Sequence, residues 1–384
     1  MKKKRKIAVI TATRATFGYA KRLLHIIDDS AEFELAVVVM GMHLLKDYGY
    51  SYKEVEAEGL PIAARVDMVI GGDSPTAFAK SLGVCVASLS QVFDMLKPDI
   101  VLVSGDRGEM LAATLTAIYM NIPVAHLQSG DLSGHIDGAA RHAITKLCHI
   151  HFPACKDSAD RVLKMGEQPW RVFDVGAPQL DEAVQGKRLA LKDIERALGM
   201  TLKRPTALVI QHPVLAEVTK AGWQMRQTLE AVCTTAINAL VIYPNVDSGG
   251  EEVIKVIREY EGRPNIATFK NIERHVFLNL LRHIDVLIGN SSCGILEAPT
   301  FRLPAINIGS RQRGRMQAAN VINTGYDAAR IAGAIGKALR DTAFRKALSR
   351  CVNPYGDGKS SRRVFQILKN IKIDDRLLDK EMTY

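Results

Sequence analysis

The chain lacks any Cys-x-x-Cys pair: its six cysteines, Cys85, Cys148, Cys155, Cys233, Cys293 and Cys351, lie far apart or within apolar runs. That spacing excludes a disulfide framework and fits a reducing, cytoplasmic compartment. The amino terminus, MKKKRK, is basic, but the apolar stretch after it is short and broken by Arg14, which excludes a signal peptide or spanning helix there. A soluble protein without a membrane partner is expected. Aromatic residues make up only 6% of the chain and do not interleave with Lys and Arg. The net charge of +10 therefore reads as attraction for an anionic small molecule, or plain solubility, and not as a nucleic-acid surface. No segment repeats at a period of roughly 20–50 residues, and none is of low complexity.

What is present is an alternation of strand and helix over 384 residues, 47% of them hydrophobic, which is too much for one ordinary core. Apolar, β-branched runs predict strands at Lys6–Ala12, Phe33–Met40, Ile62–Val69, Asp99–Val103, Ile122–Leu127, His149–Pro153 and Arg171–Val175. Helical periodicity between them begins near Tyr19 and recurs at Thr76–Leu96, Arg107–Tyr119, Gly138–Cys148 and Ser158–Met165. From Gly176 to Pro205 the pattern is polar and helical, as a linker or hinge would be. The alternation then restarts, with strands at Ala207–Gln211, Leu240–Tyr243, Ile266–Phe269, Asp285–Ile288 and Pro304–Ile308. Two doubly wound α/β halves with parallel sheets follow. The expected division is 1–185, 186–358 and a final helix and tail at 359–384 packing back on the first domain.

In open parallel sheets ligands collect beyond the carboxyl ends of the strands, in the loops found there. Two of them carry glycine plus acid: Ser104-Gly105-Asp106-Arg107 and Gln128-Ser129-Gly130-Asp131. Arg14 and Arg107 stand just beyond strands, where guanidinium groups bind phosphate or carboxylate in bidentate fashion. In the second half, Gly289-Asn290-Ser291-Ser292-Cys293-Gly294 leads into a helix start whose N–H groups suit a diphosphate, with Ser291 and Ser292 as hydroxyl donors. Glu297, about one turn into that helix, is placed for ribose hydroxyls, and Arg311 supplies a cation after a further strand. His212 in Gln211-His212-Pro213 also falls at a strand end. His126, His135, His142, His149 and His151 invite a metal, but there is no HExxH, and none is expected.

Taken together, SGDRGE at Ser104–Glu109, HLQSGDLSGHID at His126–Asp137, RHAITKL at Arg141–Leu147, QHP at Gln211–Pro213, GNSSCG at Gly289–Gly294 and NPYGDG at Asn353–Gly358 resemble the hydrolysing UDP-N-acetylglucosamine 2-epimerases of sialic-acid and legionaminic-acid pathways. The resemblance implies a glycosyltransferase-B type fold, two Rossmann-like domains facing a cleft with the last helix crossing back onto the first. It implies elimination of UDP across C1 and C2 of a UDP-2-acetamido sugar, UDP-GlcNAc or a 2,4-diacetamido-6-deoxy relative, and hydration of the glycal to a free C2-inverted sugar of the ManNAc type. No cofactor is implied, and homodimers or tetramers are. Asp106 and Asp137 match its acid positions and His212 its histidine near the diphosphate. Arg14, Arg107, Asn245, Ser291, Ser292, Glu297 and Arg311 match its nucleotide-binding positions.

Two departures stand out. Gln128 occupies an acid position, and an amide abstracts no proton at neutral pH, so either Asp131 or Asp106 is the base or Gln128 binds an extra amide or hydroxyl of a different sugar. Thr16 also replaces an acid. Other readings of the same residues are a nucleotide-sugar-binding protein without turnover, a glycosyltransferase of this fold, or a non-hydrolysing epimerase, whose pattern lacks HLQSGDLSGHID and RHAITKL.

Overall fold

The structure, a computed structural model, describes residues 4–46, 49–71, 74–132, 135–244 and 249–383; the side chains of residues 75 and 135–137 also lie outside the described set. The chain divides into two compact units, Met1–Glu182 with Tyr355–Tyr384, and Ala183–Pro354. Each contains one six-stranded, all-parallel sheet.

In the first unit the strands are β1 (Arg5–Thr11), β2 (Phe33–Met40), β3 (Ile62–Val66), β4 (Ile100–Ser104), β5 (Val124–Leu127) and β6 (Ile150–Phe152), in the order β3-β2-β1-β4-β5-β6. β1 is a central strand because both of its side-chain faces are apolar. Ile7 and Val9 join a core with Phe17, Leu23, Leu24 and Ile27 of the helix Arg14–Asp28, while Ala8 and Ile10 face Cys85, Leu89 and Phe93 of the helix Pro75–Leu96. Each fully buried Leu or Ile contributes roughly 2 kcal/mol by leaving water. The helix Arg14–Asp28 starts at a capping box: Thr16 N donates to Thr13 Oγ1 at 3.2 Å and Thr13 N to Thr16 Oγ1 at 3.0 Å. The final helix, Ser360–Asn370, belongs to this unit, where Val364 and Leu368 enter the same core as Ile7.

The second unit holds β7 (Thr206–Ile210), β8 (Asn238–Ile242), β9 (Ile266–Phe269), β10 (Val286–Gly289), β11 (Ala305–Ile308) and β12 (Val321–Thr324), in the order β12-β11-β10-β7-β8-β9. Both sheets therefore wind outward from the middle, in opposite directions on the two sides. The reversals lie between β1 and β4 and between β7 and β10, the positions at which a doubly wound sheet opens a crevice for a ligand. The second reversal depends on Gly289 (φ +131°), because a Cβ there would lie 2.0 Å from the carbonyl oxygen of Ile210.

Several sequence expectations need correction. The helix expected from Tyr19 begins at Arg14, because the threonine cap opens it earlier. Arg171–Val175 is no strand: Pro169–Arg171 forms a 3-10 turn, and only Val172 bridges His151 before the chain leaves the sheet edge. The polar stretch after Gly176 holds two short helices, Gln179–Gln185 and Leu191–Leu198, and Ile194 of the second is buried. The edge strand β12 was not foreseen; it is short and half-exposed, so its VINT sequence has no apolar run to announce it.

Candidate active site

At the first reversal, β4 and β5 end in the two glycine-and-acid loops, and one side chain ties them together. Arg141, on the helix His135–Leu147, is buried; its Nη2 pairs with Asp106 Oδ2 and its Nη1 donates to the carbonyl of Gln128 at 2.9 Å. A guanidinium with so little exposure requires a counter-charge, and Asp106 supplies it as a carboxylate. Four residues on, Thr145 holds the same loops by another route. His126 Nε2 lies 2.7 Å from the carbonyl of Gly105, so that nitrogen must carry the hydrogen, and Nδ1 lies 3.2 Å from Thr145 Oγ1, which also donates to the Arg141 carbonyl at 2.9 Å. Burial pushes the His126 imidazole down to about 3, so it is a neutral strut.

The other first-unit candidates are distributed as follows. Asp131 is buried and accepts from Ser158 Oγ at 2.6 Å, so its carboxylate serves the loop. Gln128 is buried with a left-handed backbone (φ +60°), an arrangement uncommon for a residue with a Cβ and frequent at functional sites. Arg107 forms a bidentate pair with Glu109, at 3.1 and 2.9 Å. Arg14 is exposed and bonds Glu54 at 2.6 Å. Thr16, which stands where the resemblance has an acid, has its hydroxyl engaged by the backbone N–H groups of Ala12 and Thr13 and the carbonyl of Thr13, so it builds the helix start. Asp137 falls in the first turn of the helix His135–Leu147, and its side chain lies outside the described residues. Of the clustered histidines, His149 Nδ1 accepts from Val124 N at 3.1 Å and His151 Nε2 bonds Glu167 at 2.9 Å; both are buried structural groups.

At the second reversal, Asn290 plays the part that Arg141 plays in the first unit. Its fully buried amide pairs with the backbone of His212 in both directions, accepting from His212 N at 2.7 Å and donating to His212 O at 2.8 Å. Its own carbonyl accepts from Gln312 Nε2 at 2.9 Å and Arg311 Nη1 at 3.2 Å. The ends of β7, β10 and the loop after β11 are thereby fixed to one another, with His212, Ser291 and Arg311 on them. Burial pushes His212 down to about 3, with Arg311 adding in the same direction, so the imidazole is neutral at physiological pH. It acts there as a hydrogen-bonding group, not a second cation. Glu217, unnoticed in the sequence, clips this region from behind, accepting from Ser310 Oγ and Tyr326 OH at 2.6 Å each and from Gln224 Nε2 at 2.7 Å.

The helix expected after GNSSCG shrinks to one turn, Cys293–Leu296, too short for an appreciable dipole, so an anion here depends on side chains and local N–H groups. Glu297 stands at its C-cap and pairs with Arg274 at 3.5 Å. Asn245 lies outside the described residues.

Two Rossmann-like units with acid-bearing loops on one and cation-bearing loops on the other define an enzyme of the two-Rossmann, nucleotide-sugar class. Residues 25–369 match the family model described as UDP-N-acetylglucosamine 2-epimerase, and the chain belongs to that family. It is 38% identical over 382 residues to UDP-N,N'-diacetylbacillosamine 2-epimerase (hydrolyzing) of Legionella pneumophila, a match covering 99% of this chain and 100% of that protein. A GDP/UDP-N,N'-diacetylbacillosamine 2-epimerase (hydrolyzing) of Campylobacter jejuni is 33% identical over 84% of each chain. The crystal structure of Neisseria meningitidis UDP-GlcNAc 2-epimerase bound to UDP-GlcNAc superimposes with a TM-score of 0.83 over 94% of this chain and 99% of that one, at 17% identity, and shares the fold.

Buried neutral histidines give the protein an acid sensitivity with a definite sign. His126 and His212 titrate at about 3 when folded against 6.5 ordinarily, so the unfolded chain binds more protons between those values. Their stability contribution is complete above pH 6.5 and falls with decreasing pH, at up to about 1.4 kcal/mol per pH unit for each. Urea midpoints should be level above pH 7 and drop between about pH 6.5 and 4.5, before most carboxylates titrate; a level midpoint down to 4.5 would contradict this.

Proposed function

We propose that the chain is a hydrolysing nucleotide-sugar 2-epimerase acting on a UDP-2,4-diacetamido-6-deoxy sugar in preference to UDP-GlcNAc. The observation that carries this reading is the full-length similarity to the Legionella enzyme, whose printed name specifies both the diacetamido sugar and hydrolysis. In the proposed reaction a base removes the C2 proton, the electron pair forms the C1–C2 double bond, and the C1–O bond to the diphosphate breaks to release UDP. Water then adds its oxygen to C1 and a proton enters C2 from the opposite face.

Asp106 is assigned the base, because its pairing with Arg141 keeps it ionised. Asp137 is assigned the complementary proton transfer. Neutral His212, Arg311, Ser291 and Ser292 are assigned the diphosphate, whose departing charge they stabilise by hydrogen bonds and a cation. Arg14, Arg107 and Asn245 complete the nucleotide contacts, with Glu297 at the ribose. Gln128 is assigned to an amide of the sugar, since it offers both a donor and an acceptor where an acid offers only acceptors. Its product is a precursor of legionaminic- or sialic-type acids, made in the cytoplasm.

Assembly into a homo-oligomer is part of the proposal. Among the described residues one helix, Thr76–Leu96, is long and apolar enough to cross a membrane, but it packs on the sheet through Cys85, Leu89 and Phe93. Its outer face leaves Val84 38% and Met95 74% exposed. We assign that face to a second copy of the chain. Light scattering should give a multiple of the chain mass for the wild type and the single-chain mass for Val84→Asp/Met95→Lys; a wild-type monomer would refute the assignment.

The catalytic assignment is tested by UDP release from the two sugars. The diacetamido substrate should be preferred about tenfold or more in kcat/KM, and Gln128→Glu should reduce that preference. Asp106→Asn should lower kcat by about 10²–10⁴-fold. Release from neither sugar, with UDP still bound, would replace this reading with a nucleotide-sugar-binding protein, and near-normal turnover in Asp106→Asn would remove Asp106 from the base role.

A further inference from the structure

The family match ends at residue 369, yet the tail beyond it is built into the interior of the first unit. Leu377 is fully buried in the core that holds Ile7 and Phe152. The fully buried Arg171 uses all five of its N–H donors, and three of its acceptors are tail carbonyls: Leu377 O at 2.7 Å, Arg376 O at 2.6 Å and Asp379 O at 3.2 Å; Gln168 Oε1 and His149 O take the others. Farther along, the Lys380 ammonium spends its three donors on Cys148 O at 2.7 Å, Lys146 O, and the fully buried Glu167 carboxylate at 2.8 Å.

Lys146 and Cys148 mark the carboxyl end of the helix His135–Leu147, where carbonyls have no partner within the helix and a cation is favoured by the dipole. Glu167 also receives Lys146 Nζ at 2.8 Å, so the tail cation and the helix share one buried counter-ion. The same helix carries Arg141, which holds Asp106 and the Gln128 carbonyl, and Thr145, which holds His126. Arg141 precedes Lys146 by five residues, roughly 7.5 Å of helix rise, so a tilt of about 10° at the held end shifts it by roughly 1 Å.

We propose that Lys380 is a positioning residue for the reaction: by binding the terminal carbonyls of this helix it sets where Arg141 presents Asp106. The inference rests on the proposed function for its kinetic consequence. A strap at the amino-terminal edge of the sheet thereby governs loops at the carboxyl edge, through one rigid helix.

The test uses the full chain with Lys380→Met and Lys380→Arg, measuring kcat, KM, UDP affinity and amide exchange. Lys380→Met should lower kcat by about tenfold or more while KM and the Kd for UDP stay within about twofold, because the diphosphate groups belong to the second unit. Exchange should rise in residues 138–147 and not in β1 or β2. Lys380→Arg, retaining the cation, should recover to within about threefold of wild type. An unchanged kcat in Lys380→Met, or an equal loss in both variants with exchange raised throughout the unit, would overturn the positioning role. If wild type releases no UDP from either sugar, the functional reading fails on its own; the strap then stands if exchange rises only in 138–147 and falls if it does not.

Discussion

A buried guanidinium has no stable existence without an anion and oriented acceptors around it, and the first unit is organised about that requirement at Arg141. Two of its partners lie on different loops, Asp106 after β4 and the Gln128 carbonyl after β5, so satisfying one cation ties both loops. The requirement also selects the state of Asp106, which balances Arg141 only when ionised. Of the other acids on these loops, Asp131 is bonded to Ser158 and Glu109 to Arg107.

The second unit solves the same geometric problem without charge. Parallel strands leave backbone groups unpaired beyond their carboxyl ends, and the Asn290 amide extends the ladder by pairing with the His212 peptide as a further strand residue would. What emerges on these loops is a cation, Arg311, beside an imidazole kept neutral by burial.

Much of this was legible in the sequence, for identifiable reasons. Apolar β-branched runs gave eleven of the strands because parallel strands bury both faces, and the strand ends pointed to the Ser104–Arg107 and GNSSCG loops and to Gln211-His212-Pro213. β12 escaped because an edge strand needs no apolar run. Arg141 was read within its motif, on a helix that could face the cleft, but its pairing with Asp106 and the Gln128 carbonyl joins loops far apart in sequence and leaves no local signal. The helix at Cys293 was overestimated because Pro299 and the 3-10 turn Ala298–Phe301 end it at once. The tail, DDRLLDKEMT, shows no periodicity at all; its place is set by Arg171 and Glu167, more than two hundred residues earlier.

The central claim, elimination followed by hydration, is tested most directly by turning over the UDP-diacetamido sugar in heavy water and following the products by NMR. The account predicts UDP together with a free sugar inverted at C2 and carrying one deuteron there, because the C2–H bond must break and be remade from solvent. A released sugar with its C2 proton and configuration retained would show simple hydrolysis, and an inverted sugar still attached to UDP would show epimerisation without water; either would contradict it.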